Sequence, residues 1–317
     1  MSRLYKKMEN KLTNQISYPF VSVIVPVYND AQRIGKCIES LLNQTYPREK
    51  YEILIIDNGS TDETRDVVKK YPVTLLIEDK IQSSYGARNK GIKNAQGEVI
   101  AFTDSDCIPA DEWIKNGVAN LSKTENCGLV AGEIDIFFRK PNTPNAVELY
   151  DSIMGFNQKR DIEHFKFGST ANVFTFKKVI DNVGQFNEKL QSGGDNEWGR
   201  RVYAHGYTQV YADDTRVAHP ARYSFGQLYK RMTRLIGGCY EQYWENSSTI
   251  LIKSLVSSMK KIPVMLIRVT FGMYPAESLK RTKEKIQFII VVIFVEVVTN
   301  WEKIRLVMGG SQRDNRK

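Results

Sequence analysis

The chain has 317 residues, 42% hydrophobic and 26% charged, which gives enough apolar mass for a packed core and excludes a disordered chain. Its net charge of +9 is uneven: from Ala221 onward 17 Lys and Arg face 7 Asp and Glu, while the first 220 residues carry 28 against 29. The near-neutral front and the absence of any recognised nucleic-acid motif exclude a nucleic-acid binder, and four scattered cysteines without a C-x-x-C pair exclude a zinc ribbon or disulfide framework.

Residues 1–19 form a basic arm without the apolar stretch of a secretory leader, and the cysteine usage fits a reducing cytosol. Phe20 to Asn29 opens as a buried strand carrying Pro26. A helix over 31–43 follows, with apolar positions Ile34, Cys37, Ile38, Leu41 and Leu42 at helical spacing. Asn29 or Asp30 is its expected cap. Tyr51 to Ile56 reads as a second strand, followed by the turn-forming run Asp57-Asn58-Gly59-Ser60-Thr61-Asp62 and a helix through Lys70. Val73 to Ile77 is a third strand. Ser83 to Asn94 is a helix carrying Arg88, Asn89 and Lys90, with Gly97 closing it. Val99 to Phe102 is a fourth strand. Strand and helix alternate throughout, which predicts a doubly wound, mostly parallel α/β sheet.

Such sheets bind ligands at the carboxyl ends of their strands. The fourth strand ends there in Asp104-Ser105-Asp106, two acids whose spacing puts both on one side if the chain stays extended. Two carboxylates in one volume repel unless a hard divalent cation that also holds a diphosphate lies between them. No G-x-G-x-x-G follows the first strand, and Ile92 stands where a P-loop after Gly86 and Gly91 would need Lys. A nucleotide on this sheet is therefore held by strand-end side chains and a metal.

Farther on, a helix is expected over 111–122, a strand over 129–138, an irregular polar stretch over 139–167 and a strand over 167–175. Gly193-Gly194 leads into a helix that starts at Asp195 and runs to His205, where a helix cap is the structural alternative for Asp195. Thr208 to Tyr211 is a short strand, and a loop then leads to His219.

Five segments in this order carry a resemblance: Val23-Ile24-Val25-Pro26-Val27-Tyr28-Asn29, Ile56-Asp57-Asn58-Gly59-Ser60-Thr61-Asp62, Ala87-Arg88-Asn89-Lys90-Gly91, Asp104-Ser105-Asp106 and Gly194-Asp195-Asn196-Glu197-Trp198. Together they resemble glycosyltransferase family 2, the inverting nucleotide-sugar transferases of the GT-A fold. The likeness implies that Pro26 and Tyr28 line the base pocket and that Asp57 accepts a hydrogen bond from the base. Arg88 would lie near the nucleotide and Asp104 near the ribose and metal. Asp106 would ligate Mn²⁺ or Mg²⁺ bridging the diphosphate. Asp195 matches the general base. The acid that precedes it in the family is here Gly194, while Glu197 and Trp198 fall on the acceptor side. His219 resembles a histidine that some members place near the metal or diphosphate.

The chemistry needs these residue types. A nucleoside diphosphate leaves with growing charge, so a cation and Arg88 there favour the transition state over the ground state. A carboxylate on the opposite face takes the acceptor proton, and one attack inverts the anomeric centre.

The tail, 221–317, reads as basic helices over 223–240, 250–271 and 284–307. The uncharged run Ile286 to Val295 is too short to span a bilayer. These helices are expected either to lie on a membrane surface or to pack on the catalytic domain of 20–220 or on a second subunit. The expected protein is a cytoplasmic or inner-face peripheral transferase. It takes a nucleotide-sugar donor, with a UDP-sugar expected, and a glycan or lipid-linked acceptor in surface polysaccharide synthesis. The rivals are a sugar-nucleotide nucleotidyltransferase, disfavoured because Val27-Tyr28-Asn29-Asp30 replaces its glycine-rich basic loop, and a non-catalytic binder of anionic surfaces.

Overall fold

The computed structural model describes residues 18–244, 263–264, 279 and 281–310. The basic arm and the helix expected over 250–271 fall almost wholly outside them.

In chain order the strands are β1 (Val21–Val27), β2 (Tyr51–Asp57), β3 (Thr74–Ile77), β4 (Val99–Thr103), β5 (Ile108–Pro109), β6 (Cys127–Phe137), β7 (Asn172–Phe176) and β8 (Thr208–Pro220). They form one sheet in the order β3-β2-β1-β4-β7-β6-β8-β5. The first half, β3-β2-β1-β4, is all parallel, which is the doubly wound arrangement read from the alternation. β7 then pairs antiparallel with both β4 and β6, and β8 runs parallel to β6.

Helices cover both faces: α1 (Ile34–Leu42), α2 (Thr64–Val68), α3 (Ser84–Asn94), α4 (Trp113–Lys123), α5 (Ala146–Met154), α6 (Lys177–Val183) and α7 (Gly194–Ala204). Because successive side chains of a strand alternate, Val21, Val23 and Val25 of β1 pack with Ile34, Ile38 and Leu41 of α1 on one face. Ile24 joins Leu54, Ile56, Ala87 and Ile92 on the other, where α3 lies. Burial on both faces is why these strands read as continuous apolar runs.

Several boundaries differ from the sequence reading. α1 begins four residues after Asp30 and has no side-chain cap, and Asn29 adopts a positive φ of 48° instead of capping it. α3 starts under its Ser83 cap, whose oxygen accepts from the Gly86 N–H, a bond worth about 1 kcal/mol. Gly97 does not close that helix, which ends at Asn94; its role is close approach. A Cβ there would lie 2.5 Å from the Ser22 nitrogen and 2.7 Å from the Val99 oxygen, both backbone atoms that cannot yield without moving β1 or β4. Gly97→Ala is therefore expected to destabilise the fold by about 1–3 kcal/mol, measured as a lowered thermal midpoint.

The stretch 139–167 is not irregular throughout. It contains α5, opened by a capping box in which the Asn145 side chain accepts from the Glu148 N–H and the Glu148 carboxylate accepts from the Asn145 N–H. β8 is longer than expected and reaches His219, with an irregularity opposite Gly132 and Glu133 that the sequence reading took for a loop.

Two further helices complete the described chain, α8 (Phe225–Cys239) and α9 (Thr282–Val307). Phe288, Val291, Val292 and Val295 of α9 form a third apolar cluster with Val147 and Tyr150 of α5 and Leu228 of α8. One face of α9 is thus buried against the catalytic part. No described helix is long and apolar enough to cross a membrane.

Candidate active site

The carboxyl ends of β1, β2 and β4 lie side by side, and each delivers a polar group to the same rim. β2 ends in Asp57, which is fully buried. Its Oδ2 accepts from Arg65 Nε at 2.7 Å and from the Gly59 and Ser60 N–H groups at 3.3 Å. Its Oδ1 is buried with no hydrogen-bond partner among the described residues. An orphaned carboxylate oxygen is costly unless a ligand completes it, and a donor group such as the N–H of a base can do so. Pro26 and Tyr28 are half-buried at the end of β1, beside it in register.

β4 ends at Thr103, and the next four residues turn, with the Cys107 N–H donating to the Asp104 carbonyl at 3.0 Å. The chain is therefore not extended through Asp104 and Asp106, as the sequence reading assumed. Each acid instead has its own cation. Arg88 Nη2 donates to Asp104 Oδ1 at 2.6 Å from the buried side of α3. Arg33 Nη1 donates to Asp106 Oδ2 at 3.0 Å while its Nε donates to Asp30. Burial pushes the Asp104 carboxyl above its usual range; Arg88 pulls it down, and the Asp106 and Asp195 charges push it up. Asp104, Asp106 and Asp195 therefore share one electrostatic neighbourhood.

His219 stands at the end of β8 with Nε2 3.6 Å from Asp106 Oδ1. Its Nδ1 faces the Pro220 carbonyl at 2.8 Å, so Nδ1 is the donor there and Nε2 is the ring nitrogen turned toward Asp106. A carboxylate oxygen and an imidazole nitrogen at that separation, too long for a hydrogen bond, suit two ligands of one cation. Among the described residues no three such side chains converge as a closed cage.

Asp195 lies in the first turn of α7 but does not cap it. The cap is Gly193, at a φ of 80°. Asp195 Oδ2 instead accepts from Thr170, from the N–H at 3.1 Å and the hydroxyl at 3.2 Å. No described residue bonds Oδ1, which leaves it able to take a proton. Gly194, where the resemblance leads one to expect an acid, has Tyr85 over it: a Cβ there would sit 2.7 Å from the Tyr85 ring. The Tyr85 side chain, from α3, fills the space an acidic side chain would need.

Two acceptor-side expectations do not fit. Trp198 is 1% exposed, its indole N–H donates to the Gly184 carbonyl at 3.0 Å, and it packs against Phe186. It is a core residue on the buried stripe of α7 with Val202 and cannot touch an acceptor. Glu197 is ion-paired with Arg201 at 2.5 Å, and Arg201 in turn donates to the Val183 and Gln185 carbonyls. That set ties α7 to the loop after α6. Sequence reasoning missed Asp30, Arg33, Arg65, Tyr85 and Thr170, whose partners lie 25 to 110 positions away along the chain, apart from the near pairs Asp30–Arg33 and Arg65–Asp57.

Comparison with known proteins follows the same lines. Residues 22–186 match the family described as Glycosyl transferase family 2. Glycosyltransferase AglE of Haloferax volcanii is 41% identical over 231 residues, covering 71% of this chain and 74% of that protein. A Methanococcus voltae enzyme named dolichyl N-acetyl-alpha-D-glucosaminyl phosphate 3-beta-D-2,3-diacetamido-2,3-dideoxy-beta-D-glucuronosyltransferase is 38% identical over 111 residues, 33% of this chain and 34% of its own. In fold, the chain resembles mannosyltransferase PcManGT from Pyrobaculum calidifontis, solved with GDP-Man and Mn²⁺, at a TM-score of 0.60 over 94% of each chain and 17% identity.

Proposed function

The chain belongs to glycosyl transferase family 2 and is a glycosyltransferase of the GT-A fold, and from that premise we propose that it is a metal-dependent, inverting enzyme. It moves a sugar from a nucleoside diphosphate to a glycan or lipid-linked acceptor at the cytoplasmic side of a membrane. The observation that carries this reading is Asp195, held by Thr170 with its second oxygen open, in the same electrostatic neighbourhood as the Asp104 and Asp106 rim.

Asp57 Oδ1 accepts from the base, and Arg65 fixes the carboxylate that presents it. Tyr28 and Pro26 flank the base. Arg88, held by Asp104, faces the ribose-diphosphate side. Asp106 and His219 would hold Mn²⁺ or Mg²⁺, which would supply positive charge for the departing diphosphate. Asp195 Oδ1 takes the proton of the acceptor hydroxyl as that oxygen attacks, and Thr170 keeps the carboxylate aimed throughout. One attack opposite the leaving group inverts the anomeric centre.

The test is release of nucleoside diphosphate from UDP-, GDP- and dTDP-sugars with and without Mn²⁺. Metal-stimulated release from one donor supports the reading. Failure of every donor to bind in calorimetry, with or without metal, leaves only a non-catalytic surface binder. Asp57→Asn is expected to weaken nucleotide binding about tenfold by replacing one acceptor oxygen with a donor, read by titration calorimetry.

Membrane contact is part of the proposal. Opposite its buried face, α9 exposes Ile286, Ile290, Ile293, Val297, Trp301 and Ile304, a stripe with Trp301 59% exposed. Arg281, Lys283 and Lys285 cluster at its first turn, where the helix dipole favours acids, so their charge suits an external anion. Apolar stripe and basic end together suit an anionic bilayer surface. The protein is expected to sediment with phosphatidylglycerol vesicles, and Ile290→Ser with Val297→Ser and Trp301→Ser is expected to abolish this without changing the thermal midpoint. Undiminished sedimentation would exclude this face, and a loss of mass in light scattering would assign it to a second copy.

A further inference from the structure

The contact between α5 and α8 contains a charge arrangement that sugar transfer, as described, leaves unused. Asp151 is fully buried on α5. It accepts from the Arg222 backbone N–H at 2.9 Å, from Arg222 Nη1 at 3.1 and 3.2 Å, and from Arg231 Nη1 at 3.1 Å. Arg231 Nη2 also donates to the Gly155 carbonyl at 3.3 Å. Among the described residues one carboxylate faces these two guanidiniums, which leaves a surplus positive charge in a poorly hydrated place. Burial and the neighbouring Arg222 push the Arg231 guanidinium down to about 10. A buried charge without a full counter-charge is unfavourable unless an anion completes it. The Nε and Nη2 groups of Arg222 bond no described residue, so donors remain for that anion.

The cluster is next to the transfer site. Both guanidiniums lie about one ring's width from Phe156, at 6.0 Å for Arg222 and 5.9 Å for Arg231. The same ring contacts His219 at 4.9 Å, and His219 faces Asp106. One turn beyond Arg231, the exposed Arg234 bears electrostatically on Tyr85, as Asp195 does. α8 therefore carries positive charge from the Asp151 cluster toward the catalytic carboxylate.

We propose that Arg222 and Arg231, oriented by Asp151, form a phosphate site that receives a phosphate group carried by a substrate. Planar guanidiniums match phosphate oxygens in bidentate fashion, and a carboxylate behind them fixes their planes. The proposal rests on the transferase reading and narrows its substrate class to one bearing phosphate beside the reacting sugar. That phosphate is one carried by the acceptor, because the donor's diphosphate is the group already assigned to Arg88 and the metal side.

The experiment uses the full chain and three probes: inorganic phosphate, decyl phosphate, and UDP with Mn²⁺. The wild-type protein is expected to broaden the phosphorus resonance of inorganic phosphate and to gain thermal stability from it at constant ionic strength. Arg222→Gln is expected to lose affinity about tenfold or more, with partial recovery in Arg222→Lys. Decyl phosphate affinity is expected to fall with it while UDP affinity holds, and a parallel fall in UDP affinity overturns the assignment to the acceptor. Absence of broadening and of any thermal shift in the wild type overturns the site, as does an Arg222→Gln protein that binds all three probes normally. Phosphate binding without any sugar-nucleotide turnover would instead sink the transferase reading and leave the site standing.

Discussion

Asp195→Asn is expected to lower the rate of metal-stimulated nucleoside diphosphate release by about 10³-fold, within the range that loss of a general base produces. The substitution is nearly isosteric. The amide oxygen can still accept from the Thr170 N–H and hydroxyl, which hold Asp195 at 3.1 and 3.2 Å, so α7 keeps its entry geometry. What disappears is the second oxygen as a proton acceptor, since an amide nitrogen has no lone pair to offer. Affinity for UDP with Mn²⁺ is expected to stay within about twofold, because no donor contact is assigned to this side chain. A variant that turns over normally would remove Asp195 from its role. Glu197 could not then inherit it, being committed to Arg201. The readout is initial rate under saturating donor, paired with calorimetric binding of UDP.

The parts of this fold that were legible in sequence are those governed by short-range periodicity. β1, β2 and β4 are apolar runs because both faces of the sheet are covered, and the polar residues that end them, Asp57 and Asp104, mark the rim directly. Trp198 was misassigned although its period was visible: with Val202 four positions on, it continues the buried stripe of α7, and proximity to Asp195 in sequence carried no information about facing. α5 also left a signal, Asn145 followed three residues later by Glu148, hidden among the polar residues around it. Other features had none. That Asp195 would bond Thr170 rather than its own helix, that Arg33 would reach Asp106 73 positions away, and that Tyr85 would fill the space above Gly194 are consequences of tertiary approach. Such pairings depend on the crossover connections and the antiparallel insertion of β7 between β4 and β6, neither of which leaves a local pattern.

Asp106→Ala is expected to abolish the stimulation of donor binding by Mn²⁺, weakening UDP affinity in the presence of metal by about 10²-fold, since even outer-shell changes at metal sites lose about 10–100-fold. Among the described rim carboxylates Asp106 is the one positioned between a cationic side chain and an imidazole nitrogen: Arg33 at 3.0 Å on Oδ2 and His219 Nε2 at 3.6 Å from Oδ1. Asp104 cannot replace it, because its Oδ1 is committed to Arg88 at 2.6 Å. With alanine at 106, Arg33 loses its second acceptor and keeps only Asp30, which itself accepts from Ser105 at 2.6 Å. The rim would then carry one negative charge fewer, so metal-free UDP is expected to bind as well as, or slightly better than, it does to the wild type. That opposite response to the nucleotide alone separates loss of a metal ligand from general damage to the pocket, which would weaken both. Calorimetric titration of UDP with and without Mn²⁺, on both proteins, reads the two effects together. Equal Mn²⁺ enhancement in wild type and Asp106→Ala would place the cation elsewhere.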